Sequence, residues 1–150
     1  NEEVSCNCGK KGCLEQYASA TGIVRLAKME MIEGKSSTIL ADIDGFSAKD
    51  VLDAAKKGDA IGVDVLDKLG WYLAFACAGI AQIVDPEVFV IGGGVSKAGD
   101  IIIKAITKYY NEFAMDAVKN KEFRLATLGN DAGIYGCAAM IAGKKIGYEK

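Results

Sequence analysis

Val88-Phe89-Val90-Ile91-Gly92-Gly93-Gly94-Val95-Ser96 is the stretch from which the fold class can be read. Four β-branched or aromatic residues stand in an unbroken row. A strand with one wet face alternates apolar and polar residues, so an unbroken run predicts a strand covered on both faces. The run passes straight into three glycines, and a helical pattern resumes from about Ala98 to Ala117. Strand, glycine turn and helix in that order are the repeating junction of layered α/β proteins.

Upstream, Asp85-Pro86 stops a helix, because the residue before proline is pushed out of the helical region. That helix is the longest and opens at Asp59, a good N-cap. Val63, Leu66, Gly70, Leu73, Cys77, Ile80 and Val84 form one apolar stripe along it, and Trp71, Ala74, Ala78 and Ala81 form a second. Two stripes predict burial between other elements. Ser47 and Asp50 make a capping box, with Asp in the Glu/Gln place, for a short helix ending near Gly58. Gly34 to Ser37 reads as a loop. A further helix is expected from about Leu14 to Met31, with Leu14, Tyr17, Thr21, Val24 and Met31 on one face.

Downstream, Phe123 to Leu128 reads as a second short strand. Asn130 or Asp131 is placed to cap a last helix reaching roughly Lys145. The order of helices, strand, helix, strand, helix predicts an α/β arrangement with a parallel sheet. Two strands do not make a stable sheet. The remaining strands are expected upstream or from another chain, and the start at Asn1 fits a piece of a longer protein.

The 150 residues are 51% hydrophobic and 25% charged with one proline, a composition for packed helices and not for disorder. A net charge of −2 offers no electrostatic footprint for nucleic acid or an anionic membrane. The longest apolar stretch, Leu73 to Val84, is broken by Gly79 and Gln82 and is too short to span a bilayer. Of five cysteines, three cluster at Cys6, Cys8 and Cys13. This is no secreted disulfide framework. It points to a reducing compartment, the cytoplasm, with one metal site and two buried thiols at Cys77 and Cys137.

The run Cys6-Asn7-Cys8-Gly9-Lys10-Lys11-Gly12-Cys13-Leu14-Glu15 carries the clearest chemistry. Thiolates at this spacing, with Gly9 and Gly12 for tight turns, can converge on one tetrahedral zinc ion. Three cysteines supply three of four ligands, and the chain has no histidine. The fourth is either upstream, Glu15 or water. Three free surface thiols are the alternative, and such a cluster is a redox liability. Glu15 opens the first helix, where the helix dipole favours a carboxylate. It is equally placed to accept hydrogen bonds from a polyol held beside a rigid metal loop.

Gly92, Gly93 and Gly94 follow a strand, and ligands of open α/β sheets sit beyond the carboxyl ends of strands. The pattern is neither a P-loop nor the dinucleotide fingerprint, and a tight turn is the plain alternative. Gly133 and Gly136 with neighbouring alanines give a helix face almost without side chains, suited to close packing.

Together these motifs resemble the ROK family of sugar kinases and sugar-responsive repressors. The Cys6-to-Glu15 run matches that family's zinc signature residue for residue, residues 88–94 look like its adenosine-proximal loop, and 128–139 look like its terminal helix. The likeness covers essentially the whole chain and, within the family, is greatest to bacterial glucokinases. It implies that residues 1–150 form the C-terminal lobe of an actin-like (ribonuclease H-like) ATPase fold. It implies structural zinc on Cys6, Cys8, Cys13 and an upstream histidine, Glu15 on sugar hydroxyls, and Gly92 to Gly94 beside the adenosine of ATP, with Mg. The phosphate loop, the catalytic aspartate and the glutamate–histidine sugar motif of the family belong upstream, and no residue here matches them. The expected activity of the whole protein is ATP-dependent phosphorylation of glucose at its 6-hydroxyl, as a homo-oligomer. The rivals are the effector lobe of a sugar-responsive repressor and a zinc-braced binding module without nucleotide.

Overall fold

The computed structural model describes residues 4–34 and 37–143. Among the described residues six α-helices and two strands follow one another: α1 Glu15–Ala18, α2 Ala20–Ile32, α3 Ala48–Lys56, α4 Ala60–Val84, β1 Val88–Ile91, α5 Asp100–Phe113, β2 Glu122–Leu125 and α6 Ala132–Ile141. β1 and β2 pair in parallel, with Val88 opposite Glu122 and Ile91 opposite Leu125. The expected α/β order with a parallel sheet is therefore present, and the sheet among the described residues has two strands.

Side-chain caps start three of these helices, α2, α3 and α4. Ser47 and Asp50 form the expected reciprocal box: the Ser47 amide donates to Asp50 Oδ2 at 2.8 Å, and the Asp50 amide donates to Ser47 Oγ at 3.4 Å. Asp59 caps α4 through the Gly62 amide at 3.0 Å. It also accepts from the Thr38 hydroxyl and the Ile39 amide, both at 2.9 Å, and so ties the preceding loop to the helix start. Burial works against this carboxylate, but the Gly62 and Ile39 amides and the Thr38 hydroxyl outweigh it and hold its pKa below the ordinary value. At the far end, Asp85 adopts a left-handed conformation, φ 43° and ψ 59°, and Pro86 follows.

Helices α4 and α5 cross closely because Gly70 has no side chain. A Cβ there would stand 2.5 Å from the Ala105 carbonyl oxygen. The core lies around this crossing, with Ile23, Val51, Val65, Leu69, Ile102, Ile106 and Tyr110 fully buried. Tyr110 donates its hydroxyl to the Val118 carbonyl at 2.8 Å, and its ring packs with Phe89 and Phe123 to fasten the sheet to α5.

Several expectations are corrected. The single helix over 14–31 is two, broken at Ser19, whose backbone is extended and whose hydroxyl accepts the Gly22 amide at 3.0 Å. A serine that caps a new turn ends the old one. Residues Gly94–Ala98 form a 3-10 turn, and Gly99 at φ +81° delays α5 to Asp100. The second strand starts at Glu122 and ends at Leu125. Asp131 makes no side-chain cap. The last helix ends at Ile141, short of the expected reach to Lys145, as Ala142 closes it and Gly143 turns left-handed at φ +64°. The Asn130 side chain and residues 144–145 lie outside the described residues.

Burial is only partial where both α4 stripes were expected to be covered. Gly70 and Cys77 of the first stripe and Ala74, Ala78 and Ala81 of the second are buried, but Val63, Ile80 and Val84 of the first and Trp71 of the second are exposed. Val90 of β1 is 60% exposed, so that face of the strand is uncovered among the described residues. No residue of α6 is buried, and Gly133 and Gly136 face open space, not a close neighbour. Cys77 is buried as expected, and burial pushes its thiol up to about 11, whereas Cys137 is exposed.

Candidate functional site

The cysteine loop is shaped by its own backbone. Ser5 and Lys11 form an antiparallel bridge, the Cys6 amide donates to the Lys10 carbonyl at 2.7 Å, and the Gly9 amide donates to the Cys6 carbonyl at 2.9 Å. Gly9 at φ +82° and Gly12 at φ +71° make the two sharp reversals, a conformation that disfavours other residues. The result gathers Cys6, Cys8 and Cys13, whose sulfurs all lie within 4.8 Å of one another. Cys8 and Cys13 Sγ are 3.5 Å apart. Sulfurs around a tetrahedral zinc at about 2.3 Å stand roughly 3.8 Å apart, so this spacing fits the ion. The Lys10 backbone, then the Cys13 and Cys6 thiols, hydrogen-bond Cys8 and lower its pKa. Hydrogen bonding with the Cys8 thiol, and then with Cys6, pushes Cys13 up to about 11. The shift moves Cys8 in the direction of the thiolate, the form a metal binds.

Glu15 stands next to this loop at the start of α1 and is exposed. It is not one of the three converging groups; its Oε2 reaches Cys6 Sγ at 3.8 Å and accepts from Gln16 Nε2 at 2.6 Å. The carboxylate is thus steadied by the loop on one side and an amide on the other.

The glycine turn lies at the carboxyl end of β1. Gly92 touches Ala126, where a Cβ would sit 3.3 Å from the Ala126 methyl, while Gly93 and Gly94 open on free space. Gly93, at φ +82° and ψ −172°, is in a region that only glycine occupies readily. Buried Ser96 locks the turn by donating its hydroxyl to the Gly93 carbonyl at 2.7 Å. The turn packs against the Gly129–Asp131 turn that precedes α6.

Beside Gly94 opens a groove of about 490 Å³. Leu52, Val95 and Ala98 line it with apolar surface, and Lys49, Lys56 and Lys97 stand at it. Asp53 holds both α3 lysines, Lys49 at 2.7 Å and Lys56 at 3.3 Å. Ala20, the first residue of α2, belongs to the same wall. The groove therefore links the glycine turn with the helix that follows Glu15. Sequence reasoning missed the α3 residues here: their helical pattern reads as an ordinary amphipathic helix, and only the packing of α3 on the 3-10 turn brings them to the glycines.

No helix among the described residues is long and apolar enough to cross a membrane. The fold and the cysteine loop can be set against known proteins. The chain is 46% identical over 149 residues to a glucokinase of Halalkalibacterium halodurans, covering 97% of this chain and 45% of that protein. A ROK family glucokinase from Streptomyces griseus, solved with glucose and AMPPNP, superposes with a TM-score of 0.80 at 31% identity, over 93% of this chain and 47% of that one. A ROK family transcriptional regulator, a homologue of the E. coli Mlc protein, gives 0.71 at 30% identity over 81% of this chain and 31% of that one. The chain spans about half the length of the glucokinases it matches. Its helix-rich architecture with a small parallel sheet is part of the actin-like ATPase fold of these sugar kinases. The ROK family profile matches residues 1–144, and the chain belongs to the ROK family.

Proposed function

We propose that residues 1–150 are the C-terminal lobe of a cytoplasmic glucokinase, which transfers the γ-phosphoryl group of ATP to the 6-hydroxyl of glucose. The observation that carries this reading is the likeness, over nearly the whole chain, to a glucokinase solved with both glucose and a nucleotide analogue. The 46% identity to another glucokinase supports it.

Phosphoryl transfer asks a protein mainly to position two substrates and to stabilise charge. In this reading Glu15 accepts hydrogen bonds from sugar hydroxyls. Cys6, Cys8 and Cys13, with a histidine from outside the chain, hold a structural zinc that stiffens the loop beside it. Gly92, Gly93 and Gly94 lie against the adenosine, because backbone without side chains lets a ligand come close. The groove next to Gly94 supports this: it has apolar walls for a base and lysines for the charge of Mg-ATP. The catalytic base and the phosphate loop lie outside residues 1–150, and no residue here is assigned a catalytic role. The exposed Trp71 and Phe75 of α4 favour a homo-oligomer or cover by the rest of the protein.

A second reading has a specific observation behind it, the match to a ROK transcriptional regulator. The same lobe would then sense a sugar for a repressor. A coupled ADP-release assay on the full-length protein, with ATP and a panel of hexoses, separates the two. Glucose-dependent turnover is the expected result. Zinc-loaded protein that turns over no hexose would overturn the kinase and favour the repressor.

A further inference from the structure

Glu15 sits on a single helical turn, and one turn cannot by itself aim a carboxylate. Helix α1 has four residues and none is buried. Its support comes from its neighbours. The Arg25 guanidinium, on α2, donates through Nη2 to the Gln16 carbonyl at 2.8 Å. The same group lies 5.1 Å from the centroid of the Tyr17 ring. Tyr72 of α4 stacks on that ring, with centroids 4.1 Å apart and planes at 28°. Gln16, held by its carbonyl, points its side-chain amide at the Glu15 carboxylate, 2.6 Å away.

Gly22 makes the contact possible. A Cβ there would stand 2.7 Å from the Gln16 carbonyl oxygen, so α1 can rest on α2 only where α2 has no side chain. Arg25 then spans the seam from one turn further along α2. It is partly buried, and its planar cation does two things at once: it donates in its plane to a carbonyl and lies against an aromatic ring. A lysine at this place would supply one of these interactions but not both.

Resting on the reading of Glu15 as a sugar ligand, we infer that Arg25 is the positioning residue for sugar binding. It fixes the turn that carries Glu15 and Gln16, and through that turn it sets hexose affinity without touching sugar or metal. The route is continuous: Arg25 to the Gln16 carbonyl, and the Gln16 amide to Glu15.

The test uses full-length protein and four variants: Arg25→Met, Arg25→Lys, Glu15→Gln and the Arg25→Met/Glu15→Gln double variant. Glucose affinity is read by calorimetry, the KM for ATP by steady-state kinetics, and zinc by metal analysis. Arg25→Met is expected to weaken glucose binding about tenfold, the scale of one lost charged hydrogen bond. The KM for ATP and the zinc content should stay as in the wild type, and Arg25→Lys should recover part of the loss. In the Glu15→Gln background, Arg25→Met should add little, because the group it positions is gone. Unchanged glucose affinity in Arg25→Met overturns the inference. So do losses that multiply independently in the double variant, or a parallel loss of ATP and zinc. If Arg25→Met does not fold, Arg25→Lys decides, and wild-type glucose affinity in that variant is the overturning result. Glucose affinity untouched by Glu15→Gln alone would instead sink the sugar role of Glu15, and this inference with it. A wild type blind to glucose would sink the proposed substrate.

Discussion

At the residue scale, the cysteine loop shows how a few local constraints gather a candidate metal site. Two left-handed glycines reverse the chain twice, and three sulfurs meet. In the proposed zinc site each sulfur is one of four ligands, so the loss of one should be felt strongly. Cys13→Ser in the full-length protein is expected to drop bound zinc from about one per chain to well below one under mild chelation. Metal analysis after dialysis against a chelator checks this; full retention of zinc would remove Cys13 from the ligand set. This cluster was legible in the sequence because its members are close along the chain. The Gln16–Glu15 bond and the Arg25 contact were not, since nothing in the residue pattern says that α1 folds back on α2. The sequence reading ran one helix through this region, and the Ser19 cap breaks it.

At the element scale, side-chain caps place the starts of α2, α3 and α4, and the Asp59 side chain makes the most bonds of the three capping residues. It starts α4 and also fastens residues 38 and 39 to it. Asp59→Ala is expected to cost about 1–2 kcal/mol, read by urea unfolding. The carboxylate also carries a pH signature. Its folded pKa lies below its unfolded one, so its stabilisation is present above the ordinary carboxyl value and is lost as the pH falls through the folded value. Melting temperatures at pH 6 and near pH 3 should therefore fall less in Asp59→Asn, whose amide still caps but does not titrate. An equal fall in wild type and variant would show that the Asp59 charge contributes nothing. The Ser47 and Asp59 caps were readable from spacing alone, because a cap and its partner amide are about three residues apart.

At the scale of the whole molecule, the chain leaves large apolar surfaces open. Ile83 is 84% exposed and Ile134 72%, and Val90, Phe75 and Met140 add to them. Surfaces of this kind are covered in a working protein. Residues 1–150 produced alone are expected to bind a hydrophobic dye strongly, to self-associate in size-exclusion chromatography, and to show no glucose phosphorylation. A dye-silent monomer would mean that these faces need no cover. The sequence by itself determined the order of strands and major helices, the parallel α/β class, the Ser47–Asp50 capping box, the Asp59 cap and the cysteine cluster. These rest on interactions between residues a few positions apart, whose geometry the local pattern dictates. Only the tertiary structure decided which residues of each α4 stripe are buried, that Lys49, Leu52 and Lys56 face the glycine turn, and that Arg25 holds the turn bearing Glu15. Those are contacts between surfaces brought together by packing, and they depend on helix crossings, such as Gly70 on Ala105 and Gly22 on Gln16, where the absence of one side chain sets how near two backbones can come.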